Sequence, residues 1–210
     1  MNPIKVLLID DHAVVRAGFR LLLSCAAAIC VIAEAERGEQ ALVLYAGQRP
    51  DVVVMDLSMP GIGGLECIRR LTQRDATAKI LVFSIHDEAV YVDRAMQAGA
   101  KGYISKNSAA DIMLEAIYAL AAGDTYIEKG LLPENSFENL STYQAIVQQL
   151  SVREFDIFCL LARGLTGHEI AAQLCLSYKT IANYSTHIKT KFNVSSMVEL
   201  AHIAIALKLI

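Results

Sequence analysis

Glycine and proline are scarce in this sequence, 12 and 4 of 210 residues, while 54% of the chain is hydrophobic and 20% charged. That balance excludes a collagen-like, low-complexity or disordered chain and leaves a folded, core-forming one of one or two domains. Long apolar runs are missing too: the uncharged run from Leu21 to Ala33 spans 13 residues, whereas a membrane-crossing helix needs about 20. A secretion signal is also lacking, because the opening MNPIKVLLIDD has an apolar stretch too short for a signal core, two aspartates and no small-residue cleavage site. A cytoplasmic protein with no membrane contact is the expectation. The five cysteines (Cys25, Cys30, Cys67, Cys159 and Cys175) are never spaced C-x-x-C. That argues against a disulfide framework and a zinc site, and for buried reduced thiols. The net charge of −3 excludes a nucleic-acid binder of the histone type, although a whole-chain average can conceal a local reversal.

Such a reversal is present. Residues 1–124 carry −3, residues 125–150 carry −2 and residues 151–210 carry +2. The middle stretch holds Pro133 and a cluster of Asn, Ser and Glu, the composition of a linker. The sequence therefore divides into a first domain over 1–122, a linker over 123–150 and a second domain over 151–210. No segment recurs at a fixed period.

Short β-branched runs alternate with helical patterns in the first domain: IKVLLI (4–9), VIA (31–33), DVVVM (51–55), KILVFS (79–84) and GYI (102–104). Segments such as Val14, Val15, Phe19, Leu22 and Leu23, or Leu65, Ile68 and Leu71, carry helical spacing between them. Five continuously apolar strands, each followed by a helix, imply a parallel sheet covered on both faces, a doubly wound α/β domain. Ligands of such sheets sit outside the carboxyl ends of the strands. The residues found there are Asp10 and Asp11, Asp56, Ser84 and Lys106.

Each of these residues has a plainer use when taken alone. Asp10 and Asp11 precede a helix and suit its N-cap, Asp56 suits a turn before MPG, and a lone lysine is most often solvated. Their coincidence on one sheet edge favours a shared site for a divalent cation and a phosphoryl group. Carboxylates about 4 Å apart repel by about 4 kcal/mol at an effective dielectric near 20, so a hard cation such as Mg²⁺ is the natural neutraliser. A free Asp carboxylate can then attack phosphorus.

The set Asp10-Asp11, Asp56 followed by LSMPGIGG, Ser84, and Gly102 to Lys106 resembles the receiver domain of bacterial two-component response regulators. The carboxy-terminal piece resembles the helix-turn-helix of the NarL/FixJ (LuxR-type) branch. The run MPGIGGLE, the tail FNVSSMVELA and the length are most similar to the GacA/UvrY type. The resemblance implies that Asp56 accepts a phosphoryl group from a sensor histidine kinase. It also implies that Asp11, Asp56 and the Ser58 carbonyl hold Mg²⁺ directly, with Asp10 acting through water. Ser84 and Lys106 would each bind a phosphoryl oxygen, and Tyr103 would be the aromatic that turns inward on activation. Asn107 departs from the pattern, since many receivers have Pro there.

The second domain also reads on its own residues. Ser151-Val-Arg-Glu154 and Ser196-Met-Val-Glu199 are capping boxes that open apolar helical runs. GHEIAAQL and SYKTIANYSTHIKTKF supply two more helices around a turn at Cys175 to Ser177, which makes an all-α unit of four short helices. A plain helical bundle would explain that pattern, but the third helix argues otherwise. Ile181, Tyr184, Ile188 and Phe192 fall on one face, while Lys179, Asn183, Thr186 and Thr190 lie opposite, flanked by Lys189 and Lys191. Small polar readers flanked by lysines suit the major groove of double-stranded DNA. A charge of only +2 suggests weak binding by one copy and hence paired binding. In the last helix Leu200, Ile203, Ala204 and Leu207 take one face and Val198, Ile205 and Leu209 the other, one apolar face more than a monomer needs.

The whole reads as a DNA-binding response regulator and transcription factor, not an enzyme, dimeric when phosphorylated. A metal-dependent phosphohydrolase shares the Asp and Mg²⁺ chemistry, but the helical second domain offers no substrate cap or general acid. An interaction adaptor with weak or lost DNA binding is the alternative that the modest basic charge keeps open.

Overall fold

The structure, a computed structural model, describes residues 2–131 and 142–210. The chain forms two compact units, Met1–Leu132 and Pro133–Ile210.

Six parallel strands build the first unit: β1 (Ile4–Ile9), β2 (Ile29–Ala35), β3 (Val52–Met55), β4 (Ile80–Ser84), β5 (Gly102–Ser105) and β6 (Tyr126–Ile127). Five helices follow the first five strands: α1 (Ala13–Ser24), α2 (Gly38–Gln48), α3 (Gly64–Arg74), α4 (Ala89–Ala98) and α5 (Ala110–Ala122). The strand order is β2-β1-β3-β4-β5-β6. Both faces are covered, as the continuous apolar runs require. On one face Val6, Leu8, Val54, Leu81 and Ile104 pack with Leu23 of α1 and Met113, Ile117 and Leu120 of α5. Leu7, Ile9, Val53, Met55 and Val82 alternate with them and are equally buried.

β6 was not expected and shortens the proposed linker. Its two residues are too few to show periodicity, and pairing alone defines them: Tyr126 N–H donates to Lys101 O at 3.0 Å and Glu128 N–H to Tyr103 O at 3.0 Å. The linker shortens from its other end as well, because a helix α6 occupies Thr142–Gln149. Pro133 and the Asn, Ser and Glu cluster lie outside the described residues.

In the second unit α6 precedes α7 (Val152–Ala162), α8 (Gly167–Gln173), α9 (Tyr178–Phe192) and α10 (Met197–Ala206). The four expected helices are these last four, so α6 is an addition. Both expected capping boxes form, and a third, Thr166 with Glu169, opens α8. Cys175 takes a left-handed φ of 53° in the turn before α9. Among the described residues no helix is long and apolar enough to cross a membrane. All five cysteines are unpaired, but only Cys67 and Cys159 are buried; Cys25, Cys30 and Cys175 are exposed. The expectation of uniformly buried thiols is thereby corrected: three of them fall on outward positions of helix ends, an edge strand and a turn.

Candidate functional site

The strand order reverses between β1 and β3, and at such a switch point the loops diverge and leave a crevice. Ile9 pairs with Met55 at the carboxyl ends of these strands. The next residues, Asp10 and Asp56, therefore emerge side by side, with Asp56 N–H donating to Ile9 O at 2.9 Å. Gly64 at the start of α3 is required here. A Cβ on it would meet Asp56 O at 2.3 Å and Leu57 Cα at 2.5 Å, so only glycine lets α3 close against this loop.

Asp10 and Asp56 are 1% and 2% exposed. Lys106, from the loop after β5, reaches between them, its Nζ 2.7 Å from Asp10 Oδ2 and 2.8 Å from Asp56 Oδ2. Burial works against the charge on Lys106, but hydrogen bonds to both aspartates outweigh it and hold the ammonium above its ordinary value. Burial likewise raises the Asp56 carboxyl, against the opposing pull of Lys106. Asp56 Oδ1 is buried and has no hydrogen-bond partner among the described residues.

Ligand atoms of Asp10, Asp11, His12 and Asp56 lie within 4.8 Å of one another. This donor set, three carboxylates and one imidazole around an unpartnered buried oxygen, fits a divalent cation. Asp10 does not serve as the helix cap that it would make alone. The N-cap of α1 is His12, without a side-chain cap, and Asp10 Oδ1 accepts from His12 N–H at 2.8 Å. His12 escaped the sequence reading although it directly follows the Asp pair, the one signal that could have found it. Arg16, also overlooked, is buried and donates to Asp10 O at 2.6 Å.

Ser84 is fully buried at the end of β4, and its Oγ accepts from His86 N–H at 3.2 Å. Tyr103 is fully buried as well, its hydroxyl donating to His86 O at 2.7 Å. Burial lifts that hydroxyl far above the usual tyrosine range. The aromatic expected to move inward is thus inward in this structure. Ser58 lies on the exposed rim, its Oγ 3.0 Å from Nε2 of His86. The His86 ring stacks on Tyr91 with centroids 4.1 Å apart. No local pattern marked His86, which becomes visible only when the loops after β3 and β4 meet.

On α9 the buried face is Ile181, Ser185, Ile188 and Phe192. Tyr184 is half-buried, so the expected face is corrected by one position, the small Ser185 tolerating closer packing there. Lys179, Asn183, Thr186 and Thr190 are exposed on the other side, and Lys189 is half-buried. The hydroxyls of Thr186 and Thr190 donate to the carbonyls of Ala182 and Thr186, both at 3.0 Å. Lys191, expected on the flank of that face, is exposed, and its Nζ lies 2.8 Å from Glu154 Oε2 on α7. On α10 Val198 and Ile205 are 63% and 58% exposed, but Leu209, assigned to the same outer face, is buried; α10 ends at Ala206, so the helical spacing no longer places Leu209.

Residues 6–118 match the response regulator receiver domain, and residues 148–204 match the bacterial regulatory proteins of the luxR family. The chain is 40% identical over 203 residues to the transcriptional activator protein ExaE of Pseudomonas putida, covering 95% of each. It is 38% identical over 204 residues to response regulator UvrY of Escherichia coli strain K12, covering 96% of this chain and 94% of that one. A solved structure of a LuxR-family two-component response regulator from Aurantimonas sp. SI85-9A1 matches with a TM-score of 0.60 at 38% identity. That match spans 62% of this chain and 93% of the other.

Proposed function

The chain belongs to the response regulators that join a receiver to a LuxR-type DNA-binding domain, and on that premise we propose that Asp56 takes a phosphoryl group from a sensor histidine kinase. The observation that carries this reading is the asymmetry of Asp56: Oδ2 is held by Lys106 at 2.8 Å while buried Oδ1 has no partner among the described residues. Oδ1 is the nucleophile. It forms the new O–P bond as the P–N bond of phosphohistidine breaks, and the imidazole leaves with the bonding electron pair and picks up a proton. Lys106 neutralises charge on the transferred group, and Ser84 donates a hydrogen bond to one of its oxygens. Asp10, Asp11, Asp56 and the Ser58 carbonyl would hold Mg²⁺, with His12 beside them. When bound, the cation neutralises the clustered carboxylates and the phosphoryl oxygens.

The output is transcription regulation, with double-stranded DNA bound by α9 in the cytoplasm. Asn183 and Lys179 face outward near the start of α9, where base edges come within reach in a helix-turn-helix. Exposed Val198 and Ile205 on α10 suit pairing of two copies on two half-sites. This regulatory reading is favoured over hydrolysis of a small phosphoester because residues 148–204 match the luxR family of bacterial regulatory proteins.

Mass spectrometry after exposure to a small phosphoryl donor with Mg²⁺ tests the acceptor. One phosphoryl group should appear on Asp56 and be lost in Asp56→Asn. The same label on Asp56→Asn would overturn the assignment.

A further inference from the structure

We propose that Glu128, beyond the end of β6, is a positioning residue for Lys106. Its carboxylate clamps the loop that carries the lysine and thereby sets the rate at which Asp56 is phosphorylated. The inference rests on the phosphoacceptor reading above.

Lys106 can bridge Asp10 and Asp56 only if the backbone beneath it is held. One restraint is its own N–H, which donates to Ser84 O at 2.7 Å. Beyond the lysine the chain has Asn107, so no pyrrolidine ring locks φ there and the backbone keeps its N–H. Hydrogen bonds supply the restraint instead. Asn107 N–H donates to Ser105 Oγ at 3.1 Å, and Ser108 N–H donates to Ser105 O at 3.2 Å, which closes a tight turn around Lys106.

Glu128 grips both ends of that turn. Its Oε2 accepts from Ser105 N–H at 2.8 Å on the near side of Lys106. Both carboxylate oxygens lie 2.5 Å from Ser108 Oγ on the far side. These are charge-assisted bonds from neutral donors, stronger than their uncharged counterparts. The clamp is itself fixed, because Glu128 N–H donates to Tyr103 O at 3.0 Å and Leu131 N–H to Glu128 O at 3.3 Å. Ser105 is buried, so without Glu128 its amide is left unsatisfied and the turn must rearrange to find a partner. A shift of the lysine by about 1 Å is enough to cost up to two orders of magnitude in a positioned reaction.

The test measures the rate of Asp56 phosphorylation in the full chain with phosphoramidate and Mg²⁺, by intact mass spectrometry. The variants are Glu128→Ala, Glu128→Gln, Ser108→Ala, Lys106→Ala and the Glu128→Ala/Lys106→Ala double. Glu128→Ala should slow the reaction about tenfold, Ser108→Ala less, and Glu128→Gln should recover part of the loss by keeping one acceptor oxygen. If Glu128 acts through Lys106, Glu128→Ala should add nothing in the Lys106→Ala background. A wild-type rate in Glu128→Ala, or the same slowing with and without Lys106, would overturn the proposal. Should Glu128→Ala not fold, Ser108→Ala carries the same comparison with and without Lys106. A wild-type chain that takes no label on Asp56 sinks the acceptor reading and this proposal with it. A labelled wild type with an unslowed Glu128→Ala sinks only the proposal.

Discussion

A half-buried lysine that bridges two buried aspartates cannot be removed without leaving their charge unanswered. Lys106→Ala should therefore destabilise the receiver by about 3 to 5 kcal/mol at neutral pH, the usual cost of breaking a buried ion pair from one side. Urea unfolding measures this, and Mg²⁺ should restore part of the loss by supplying positive charge to the same carboxylates. An unchanged midpoint, or no response to Mg²⁺, would contradict the proposed site. On α9 the proposed DNA contacts would divide single residues into readers and holders. Asn183→Ala should cost about 1 to 3 kcal/mol on the cognate duplex and much less on scrambled DNA. Lys189→Ala should weaken all sequences alike and lower the salt slope by about one unit. Lys191 is paired with Glu154, so Lys191→Ala should lower the unfolding midpoint of the DNA-binding unit and leave the salt slope nearly unchanged. Binding across a salt series separates the three, and a lost slope unit in Lys191→Ala would return that residue to the phosphate contacts.

At the scale of elements, α3 offers a pH signature. Glu66 in its first turn is gripped by Arg69 at 2.6 Å and Arg70 at 2.7 Å. The hydrogen bond from Arg69, helped by Arg70 and opposed by partial burial, pushes Glu66 down to about 2 from an ordinary 4.5. The folded form thus prefers the ionised carboxylate. That contribution is complete above the ordinary value and disappears as pH falls from 4.5 towards about 2. Glu66→Gln should lower the urea midpoint at neutral pH, and its curve should meet that of the wild type at the acid end. Parallel curves down to acid pH would mean that the arginines hold Glu66 no better than water does.

Across the molecule, a phosphoryl group at the carboxylate cluster must alter how the DNA-binding unit works if the two are to form one regulator. Tyr103 is already inward and bonded to His86 O, so phosphorylation should shift the balance between two receiver forms rather than create a new one. Asp56→Ala should weaken binding to a two-half-site target and reduce pairing in the presence of a phosphoryl donor. Gel shift and analytical ultracentrifugation read these two effects. Equal affinity and equal pairing with and without phosphorylation would remove phosphorylation as the control.

The sequence alone determined the elements whose signal is local. Short β-branched apolar runs alternating with helical spacing pointed to strands, because they are too short for helices of their own. Their ends then located Asp10, Asp56, Ser84 and Lys106 on one sheet edge. The capping boxes at Ser151 and Ser196 likewise fixed where α7 and α10 begin. Only the tertiary structure decided what depends on partners far along the chain. β6 exists because two residues find the edge of β5. Lys191 is tied to α7 because Glu154 faces it, and Asp10 meets an ammonium 96 residues away. His86 and Glu128 acquire roles only when separate loops converge on the carboxyl end of the sheet. The physical reason is range: periodicity and capping act over one or two turns of chain, whereas an ion pair or a clamped loop is defined by distances that folding alone sets.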